Sequence, residues 1–550
     1  MALDLLLLYD QSSGWEVPEH RALSTRLGLP KDVRLHRDVP GEPSLAMALL
    51  SAAARARGFS VEVVDNFRHF PASYAKLRRL LREKAPLAVG LCTTLLADRG
   101  TIRDIVRHVR RECPAAKVLL GGAALWEEPG LAEIADAAVL AEGERALPDI
   151  LDRLKAGEPL AGIPGVVCPA SGVRPPLPAA EPQDMDATPF PDWSFRPGEK
   201  SIYPLETQRG CALSCEFCTH PVYAGSVLRQ KSLQRLLGEL RANYERYGIT
   251  LYRIIDPTFT LPPERCKALC EAIARLGLPL RWTCYALAQH MRDLAGVMAE
   301  AGCRGVFMGI ESGDDDILRR MSKRCTRDQI LEGVRACKDA GIASYGSFFI
   351  GFPGETERTV RNTVSCVLDS GLEFFRIGIL RVDPTSPLYA RREDYGLSGT
   401  GVEWRHATAD SHKALEWAFQ AELEILRAQG PFLGMDFDLS AYVRAGLGFE
   451  DAMAFQRSKG YLTAHETLRR WRPGALETRG FTPEGRRRQL ELARAFGEKA
   501  ELGAASYRKA YGLMRRSPLI PACDAFRTPG LAGLVDRLRD RLSAAVRRAR

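Results

Sequence analysis

The sequence predicts an α/β protein in four segments: an N-terminal doubly wound, Rossmann-like domain over residues 1–165, a proline-rich linker over 166–200, a central partial (β/α)6 barrel over 201–395 and a mostly helical C-terminal region over 396–550. Three observations predict it. Short continuous apolar runs alternate with amphipathic stretches in two separate regions, the pattern of parallel strands covered by helices on both faces. Prolines crowd the stretch between those regions (Pro169, Pro175, Pro176, Pro178, Pro182, Pro189, Pro191, Pro197), which indicates extended backbone. The alternation then fades near residue 396, and at 550 residues the chain exceeds one ordinary domain.

In the N-terminal region the apolar runs are Leu5–Tyr9, Val61–Val64, Ala88–Cys92, Val118–Leu120 and Ala137–Leu140. Helical patterns separate them, such as Leu45–Arg57, Tyr74–Lys84 and Ile102–Arg111. Ligands of doubly wound sheets bind outside the carboxyl ends of the strands. There the third run ends in Thr93 and Thr94, the fourth in Gly121 and Gly122, and the fifth leads into Glu142 and Gly143. Such glycines admit a ligand close to the backbone or simply make tight turns. No G-x-G-x-x-G follows the first run, so a dinucleotide fingerprint is lacking.

The aromatic end of the linker, Pro189 to Trp193, has the bulk to pack across a domain junction. Barrel strands are expected at Tyr203–Thr207, Leu251–Ile255, Arg281–Tyr285, Gly305–Ile310, Ser344–Ile350 and Phe374–Leu380, with helices between them such as Leu233–Tyr247, Pro263–Leu276 and Thr326–Ala340. Six units fall short of an eight-fold barrel, and active-site groups should gather at the C-terminal strand ends. Asp256, Tyr285, Gln289, Glu311, Ser312, the Gly351–Phe352–Pro353–Gly354 turn, Arg381 and Asp383 stand there. Glu311 suits a hydroxyl or an ammonium group, or serves as a helix cap or turn carboxylate; Arg381 and Asp383 face the cavity or pair with each other.

Cys211, Cys215 and Cys218, spaced C-x3-C-x2-C, follow the first barrel strand, with Phe217 before the last. Thiolates are soft ligands that suit an iron–sulfur cluster, or zinc with His220 as a fourth ligand. The other cysteines of the 14 show no disulfide framework, which points to a reducing cytoplasm. The N-terminus lacks a basic n-region and a cleavage site, and no apolar run approaches a membrane span of about 20 residues. Lys+Arg exceed Asp+Glu by nine (77 − 68), with local runs at Arg486–Arg488 and Arg547–Arg550. No DNA- or RNA-recognition motif accompanies them, so neither nucleic acid nor a membrane is expected as partner.

From the three cysteines onward, for roughly 180 residues, the chain resembles the radical S-adenosylmethionine (SAM) enzymes. The resemblance implies a [4Fe-4S] cluster on Cys211, Cys215 and Cys218, with an open iron that binds SAM and yields a 5′-deoxyadenosyl radical. It implies SAM contacts at Phe217, Asp256, Glu311, Ser312, Gly351 and Pro353; Arg229 and Lys231 after the cluster loop either approach the SAM carboxylate or take a solvated helix-start position. Pro257 departs from the commoner pattern after the second strand, which weakens the case for Asp256. Residues 1–165 resemble the cobalamin-binding domain found before many radical SAM domains, on the helix Pro43–Gly58, Val61–Asp65, Val89–Thr94, Leu119–Gly122 and Glu142–Glu144. That implies cobalamin contacts at Thr93, Thr94, Gly121, Gly122, Glu142 and Gly143. D-x-H-x-x-G is absent, so the lower cobalt face lacks a histidine of that motif.

The combination implies a cobalamin-dependent radical SAM methyltransferase that adds a methyl group to an unactivated carbon of a small-molecule or peptide substrate, through the 5′-deoxyadenosyl radical and methylcobalamin. Tyr285, Arg381 and Asp383 are its candidate catalytic or substrate residues, and a one-electron reductant such as a flavodoxin or ferredoxin is its expected partner. The alternatives are a non-methylating radical outcome on the same scaffold (cyclisation, ring contraction or oxidation), methyl transfer without radical cleavage, a cofactor sensor, or a methylthiolating RNA enzyme. The C-terminal region is expected to close the barrel mouth with helices at Ser411–Ala428, Leu439–Arg444, Glu450–Lys459, Pro483–Gly497 and Pro529–Arg547. Its aromatics, among them Trp404, His406, Trp417 and Trp471, read one by one as core, and Cys523 stands alone.

Overall fold

The computed structural model describes residues 3–10, 42–67, 71–96, 99–140, 142–169, 184–196, 198, 200–428, 432–433, 439, 443, 448–453 and 456. The proline-rich stretch 170–183, the arginine runs, Cys523, Trp471 and the last two expected helices lie outside them, as does most of 439–459. The described residues fall into two compact units, one running to Pro204 and including Gln234–Ile249, the other taking Leu205–Leu233 and everything from Thr250.

The first unit is a six-stranded sheet in the order β2-β1-β3-β4-β5-β6. Its strands are β1 (Leu5–Tyr9), β2 (Val61–Asp65), β3 (Ala88–Cys92), β4 (Lys117–Gly121), β5 (Ala137–Val139) and β6 (Val166–Val167). β1 to β5 pair in parallel and β6 antiparallel to β5. Side chains alternate between two cores. Leu5, Leu7 and Tyr9 pack with α1 (Leu45–Ala56) and the later helix Gly143–Ala156. Leu6 and Leu8 pack on the other face with α2 (Pro71–Arg79) and α3 (Arg99–Glu112). Fully burying each such leucine contributes about 1.5–3 kcal/mol. A short helix α4 (Ala124–Glu127) precedes the Gly143–Ala156 helix, here α5.

The linker expectation is corrected at both ends. Val166 and Val167 pair with Val139 and Ala138, a ladder too short to show a period in sequence. Residues 184–196 are anchored: Trp193 is 1% exposed and meets Tyr203 edge-to-face at 5.0 Å. Asp192 pairs with Arg55 and accepts from Tyr247 Oη at 3.1 Å, and Arg196 pairs with Asp65.

The second unit is a seven-stranded sheet in the order β17-β14-β13-β12-β11-β10-β7. These are β7 (Tyr203–Leu205), β10 (Leu251–Ile254), β11 (Arg281–Ala286), β12 (Cys303–Glu311), β13 (Ala343–Ile350), β14 (Phe374–Ile379) and β17 (Phe432–Leu433). Between them in sequence run α6 (His220–Ala224), α7 (Leu233–Tyr247), which from Gln234 on is part of the first unit, α8 (Pro263–Arg275), α9 (Ala288–Glu300), α10 (Asp315–Arg320), α11 (Arg327–Asp339), α12 (Glu357–Ser370), α13 (Pro387–Ala390) and α14 (Ser411–Arg427). Along β12 one face (Val306, Met308, Ile310) is buried, while Phe307, Gly309 and Glu311 on the other are half-buried.

The six predicted strands are present, with each end within two residues of the expected bound. The loss of rhythm after 396 is corrected. A hairpin of β15 (Ser398–Thr400) and β16 (Glu403–Arg405) follows β14, and α14 then leads to β17, which pairs parallel to β14. Two strand residues inside a glycine-flanked Phe432–Leu433 pair give no readable alternation.

Trp193→Ala should cost the first unit about 3–5 kcal/mol in denaturant unfolding. Its indole Nε1 has no hydrogen-bond partner, so Trp193→Phe should recover most of that loss. Equal loss in both variants would contradict the packing account.

Candidate active site

The three cysteines sit on a loop closed by a two-residue ladder of β8 (Gln208–Arg209) and β9 (Arg229–Gln230). Gly210 starts it at φ +87°, where an added Cβ would stand 2.2 Å from Val227 O, so glycine is required. Cys211 N–H donates to Gly225 O at 3.1 Å and Cys218 N–H to Cys215 O at 3.1 Å. Glu216 ties the loop down: its N–H reaches Met321 O at 3.2 Å, its carbonyl accepts from Leu388 N–H at 2.7 Å, and its carboxylate pairs with Arg391 at 2.9 Å. Cys211 and Cys215 are buried, Cys218 half-buried, and all three are free thiols.

Burial pushes the Cys215 thiol up to about 11, with Cys218, Glu311 and Cys211 adding to the rise and Lys323 opposing it. Cys218 is raised by burial and then by Cys211 and Glu311. Among the described residues no group of three or more His, Cys, Asp or Glu side chains is arranged to hold a metal ion. The donor chemistry still fits a cluster. Thiols that burial and mutual repulsion keep protonated ionise against a cationic iron core, which thiolates hold.

β12 brings Glu311 in beside the loop through a register shift between Gly309 and Glu311. Glu311 takes φ +72°, a left-handed conformation that costs a non-glycine residue about 1–3 kcal/mol. Lys323 holds it there: Nζ donates to Gly309 O at 2.6 Å and lies 3.7 Å from Glu311 Oε1. Ser322 and Arg324 on either side are also left-handed, at φ +59° and +51°. Burial raises the Glu311 carboxyl while Lys323 opposes; burial lowers the Lys323 ammonium, but Glu311 and the thiols outweigh it and the net shift is upward. The helix cap here is Asp314, which accepts from Asp316 and Ile317 N–H, so Glu311 is not the cap. Ser312 is spent inside the fold, its Oγ accepting from Asp314 N–H at 3.2 Å and lying 3.3 Å from Thr363 Oγ1.

The turn after β13 is held from the C-terminal hairpin. Gly351 has φ +104°, and a Cβ there would strike the Trp404 ring at 2.4 Å. Trp404 Nε1 donates to Leu380 O at 2.7 Å, and its ring stacks on His406 at 5.0 Å. His406 Nε2 donates to Gly351 O at 2.9 Å, which leaves Nδ1 to accept from Thr408 and Ala409 N–H at 3.3 Å. Pro353 is buried, and Phe217 meets Phe349 edge-to-face at 5.0 Å, an apolar pair between cysteine loop and strand end. Glu355 accepts from Gly351 and Phe352 N–H on Oε2. Burial pushes its carboxyl up to about 8.

The structure places four further sequence candidates. Asp256 is 1% exposed and engaged by Thr207 and Gln208, so it holds backbone and does not present a free carboxylate. Asp383 forms a local turn with Thr385 N–H and Oγ1, at 2.8 and 2.6 Å, and Arg381 beside it is exposed. Tyr285 is half-buried in a register row with Phe307, Tyr345 and Phe374, edge-to-face on Phe307 at 5.0 Å. Lys323 and Trp404 were missed as site residues; the signal was a lysine between two residues that must turn left-handed, which sequence spacing does not display.

In the first unit, Thr93 closes the end of β3, its N–H and Oγ1 donating to Gly121 O at 2.7 and 3.0 Å. Gly122, at φ +113°, lies where a Cβ would stand 2.7 Å from Thr94 N, whereas Gly121 faces open space. Thr94 is exposed and Leu95 is 48% exposed. Gly143 is explained by packing, its Cβ position 2.8 Å from Leu50 Cδ2, and Glu142 precedes α5 without capping it. Asn66, one residue beyond β2 at φ +50°, is fully buried with both amide atoms unpartnered. An open glycine, an exposed threonine and an orphaned amide on the carboxyl edge fit a large, amide-rich ligand such as cobalamin.

The radical SAM superfamily model matches residues 205–367, and the B12 binding domain model matches residues 39–151. An uncharacterized methyltransferase of Pyrococcus horikoshii, PH0819, is 28% identical over 385 residues, covering 66% of this chain and 82% of the relative. The anaerobic magnesium-protoporphyrin IX monomethyl ester cyclase of Rubrivivax gelatinosus is 22% identical over 351 residues, covering 60% of this chain and 62% of the relative. The radical SAM methyltransferase TsrM of Kitasatospora setae, solved with cobalamin and a [4Fe-4S] cluster, shares the fold at TM-score 0.60 and 19% identity, covering 91% of this chain and all (100%) of that one. The chain is thus an enzyme carrying a radical SAM domain and a B12-binding domain. It is similar to B12-binding radical SAM methyltransferases, and its two domains carry a [4Fe-4S] cluster, SAM and cobalamin as cofactors.

Gly121→Val should lower cobalamin retention with the melting temperature unchanged, because its side chain enters open space; Gly122→Val should lower stability first. Unchanged retention in Gly121→Val would count against the strand-end site. For Glu355 the folded state keeps a proton that the unfolded chain releases near the ordinary value of about 4.3. Stability therefore falls as pH rises from there to about 8. Glu355→Gln should flatten that fall when melting temperatures at about pH 5 and about pH 8 are compared; an unaltered slope would assign it to other groups.

Proposed function

We propose that the chain is a cobalamin-dependent radical SAM methyltransferase that places a methyl group on an unactivated carbon of a small-molecule or peptide substrate. The observation that carries the reading is the grouping of two buried thiols and a half-buried one, a strand-end carboxylate and an aromatic edge in the unit that matches the radical SAM model. When bound, the cluster with SAM supplies hydrogen-atom abstraction and cobalamin supplies the methyl group. Cys211, Cys215 and Cys218 hold the cluster. Glu311 accepts from a hydroxyl or ammonium of SAM, kept charged and aimed by Lys323. Phe217, Phe349 and the Gly351–Pro353 turn give the adenine an apolar, rigid edge. In the first unit Thr94, Gly121, Gly122 and Asn66 receive the cobalamin. Tyr285 and Phe307 exclude water from the half-buried strand face that carries Glu311. A one-electron reductant and a cytoplasmic setting belong to the same reading.

TsrM is also solved with tryptophan and a SAM analogue, at 24% identity and TM-score 0.56 over 70% of this chain and 74% of that one. A small molecule is favoured as substrate on that ground. The cyclase relative favours one second reading, a radical reaction without methyl transfer. Anaerobic incubation with SAM, cobalamin, reductant and candidate substrates, followed by mass analysis, separates them. A gain of one CH2 supports methylation, and a loss of hydrogen or an unchanged carbon count overturns it.

Cys215→Ala should abolish SAM cleavage; retained 5′-deoxyadenosine formation would remove that thiol from the site. Glu311→Gln should weaken SAM binding about ten- to a hundred-fold, since a charge-assisted hydrogen bond contributes about 1.5–3 kcal/mol. Lower stability with unchanged affinity would make Glu311 structural.

A further inference from the structure

The cysteine loop leaves the barrel at Thr207 and returns at Lys231, and both stems meet one buried network. Asp256, just past β10, accepts Thr207 N–H at 2.7 Å and Gln208 N–H at 3.2 Å on Oδ1, and the Thr207 hydroxyl at 2.5 Å on Oδ2. Arg265, in the first turn of α8, donates Nη1 to Thr207 Oγ1 at 3.2 Å and Nη2 to two carbonyls, Thr207 O at 3.1 Å and Lys231 O at 3.0 Å. Lys231 N–H reaches Thr207 O at 3.0 Å. The Gln208 amide donates to Thr258 O at 2.8 Å and Leu261 O at 2.9 Å, and accepts from Gln230 Nε2 at 2.9 Å. One guanidinium thus joins the outgoing and the returning strand of the loop, and one carboxylate fixes where the outgoing strand turns.

Burying opposite charges together seldom adds net stability over apolar residues of the same volume, while it does fix geometry. The sheet does not depend on it, since Ile255 N–H pairs with Leu205 O at 2.9 Å before the network begins. We propose that Asp256 and Arg265 form a clasp that fixes both stems of the 208–230 loop and so sets where the three thiols stand. They are positioning residues and touch neither cofactor nor substrate. The inference rests on the function proposed above only where it concerns the cluster.

Hydrogen exchange on the full chain without iron tests the clasp itself. Arg265→Met should speed exchange of loop amides 208–230 at least tenfold while amides of β11 to β14 keep their protection. Unchanged loop protection overturns the proposal. After anaerobic reconstitution, Arg265→Met should weaken SAM binding at least tenfold and blunt the change that SAM makes in the cluster's electron paramagnetic resonance spectrum. Arg265→Lys, which keeps one charged donor, should fall between the two. A native spectrum and affinity in Arg265→Met overturn the positioning role even where the loop loosens. A wild-type chain that takes up no cluster overturns the function proposed above, and the exchange measurement then decides the clasp alone. Should Arg265→Met not fold, Thr207→Val removes only the hydroxyl shared by Asp256 and Arg265, and the same local loss of protection is expected; its absence overturns the clasp.

Discussion

Burial of negative charge is the constraint around which the second unit is arranged. Cys215, Cys218 and Glu311 share one neighbourhood: Glu311 and Cys211 raise the cost of ionising both Cys215 and Cys218, Cys218 adds to that of Cys215, and burial raises the Glu311 carboxyl. The structure sets Lys323 among them, and its own ammonium is kept charged by the same groups. Three left-handed residues, Glu311, Ser322 and Arg324, and a register shift in β12 all serve that juxtaposition. Such strain persists only where the surroundings over-determine it. Here they do: Lys323 reaches the Gly309 carbonyl, and the Gly309 Cβ position would lie 2.5 Å from Glu311 Oε1. An iron–sulfur core would supply the remaining positive charge.

The alternation of apolar runs made both sheets legible in sequence, because a strand buried on both faces has little freedom to be polar. β1 and β3 match their expected bounds to the residue. The motif cysteines, Glu311 and the Gly351 turn were legible for a different reason: their chemistry is tied to short spacings. What was not legible depends on contacts distant in sequence. β17 joins the sheet through two residues. Trp404 stands on Gly351 from 53 positions downstream (404 − 351). The radical SAM resemblance implies a SAM contact at Asp256; only the stems of the cysteine loop show that both its oxygens are engaged.

In the first unit the carboxyl edge combines a residue made small by need with others left open. Gly122 has no room for a side chain, Gly121 has nothing near it, and Asn66 keeps a buried amide without a partner. Leaving a buried amide unpaired costs about 1–3 kcal/mol, which a ligand's polar groups would relieve. No helix among the described residues is long and apolar enough to cross a membrane.

The measurement that bears most directly on the central claim is the iron and acid-labile sulfide content of the anaerobically reconstituted chain. The account predicts about four of each per chain, with visible absorbance that a reductant bleaches. A chain that takes up zinc without sulfide, or iron without sulfide, would contradict it.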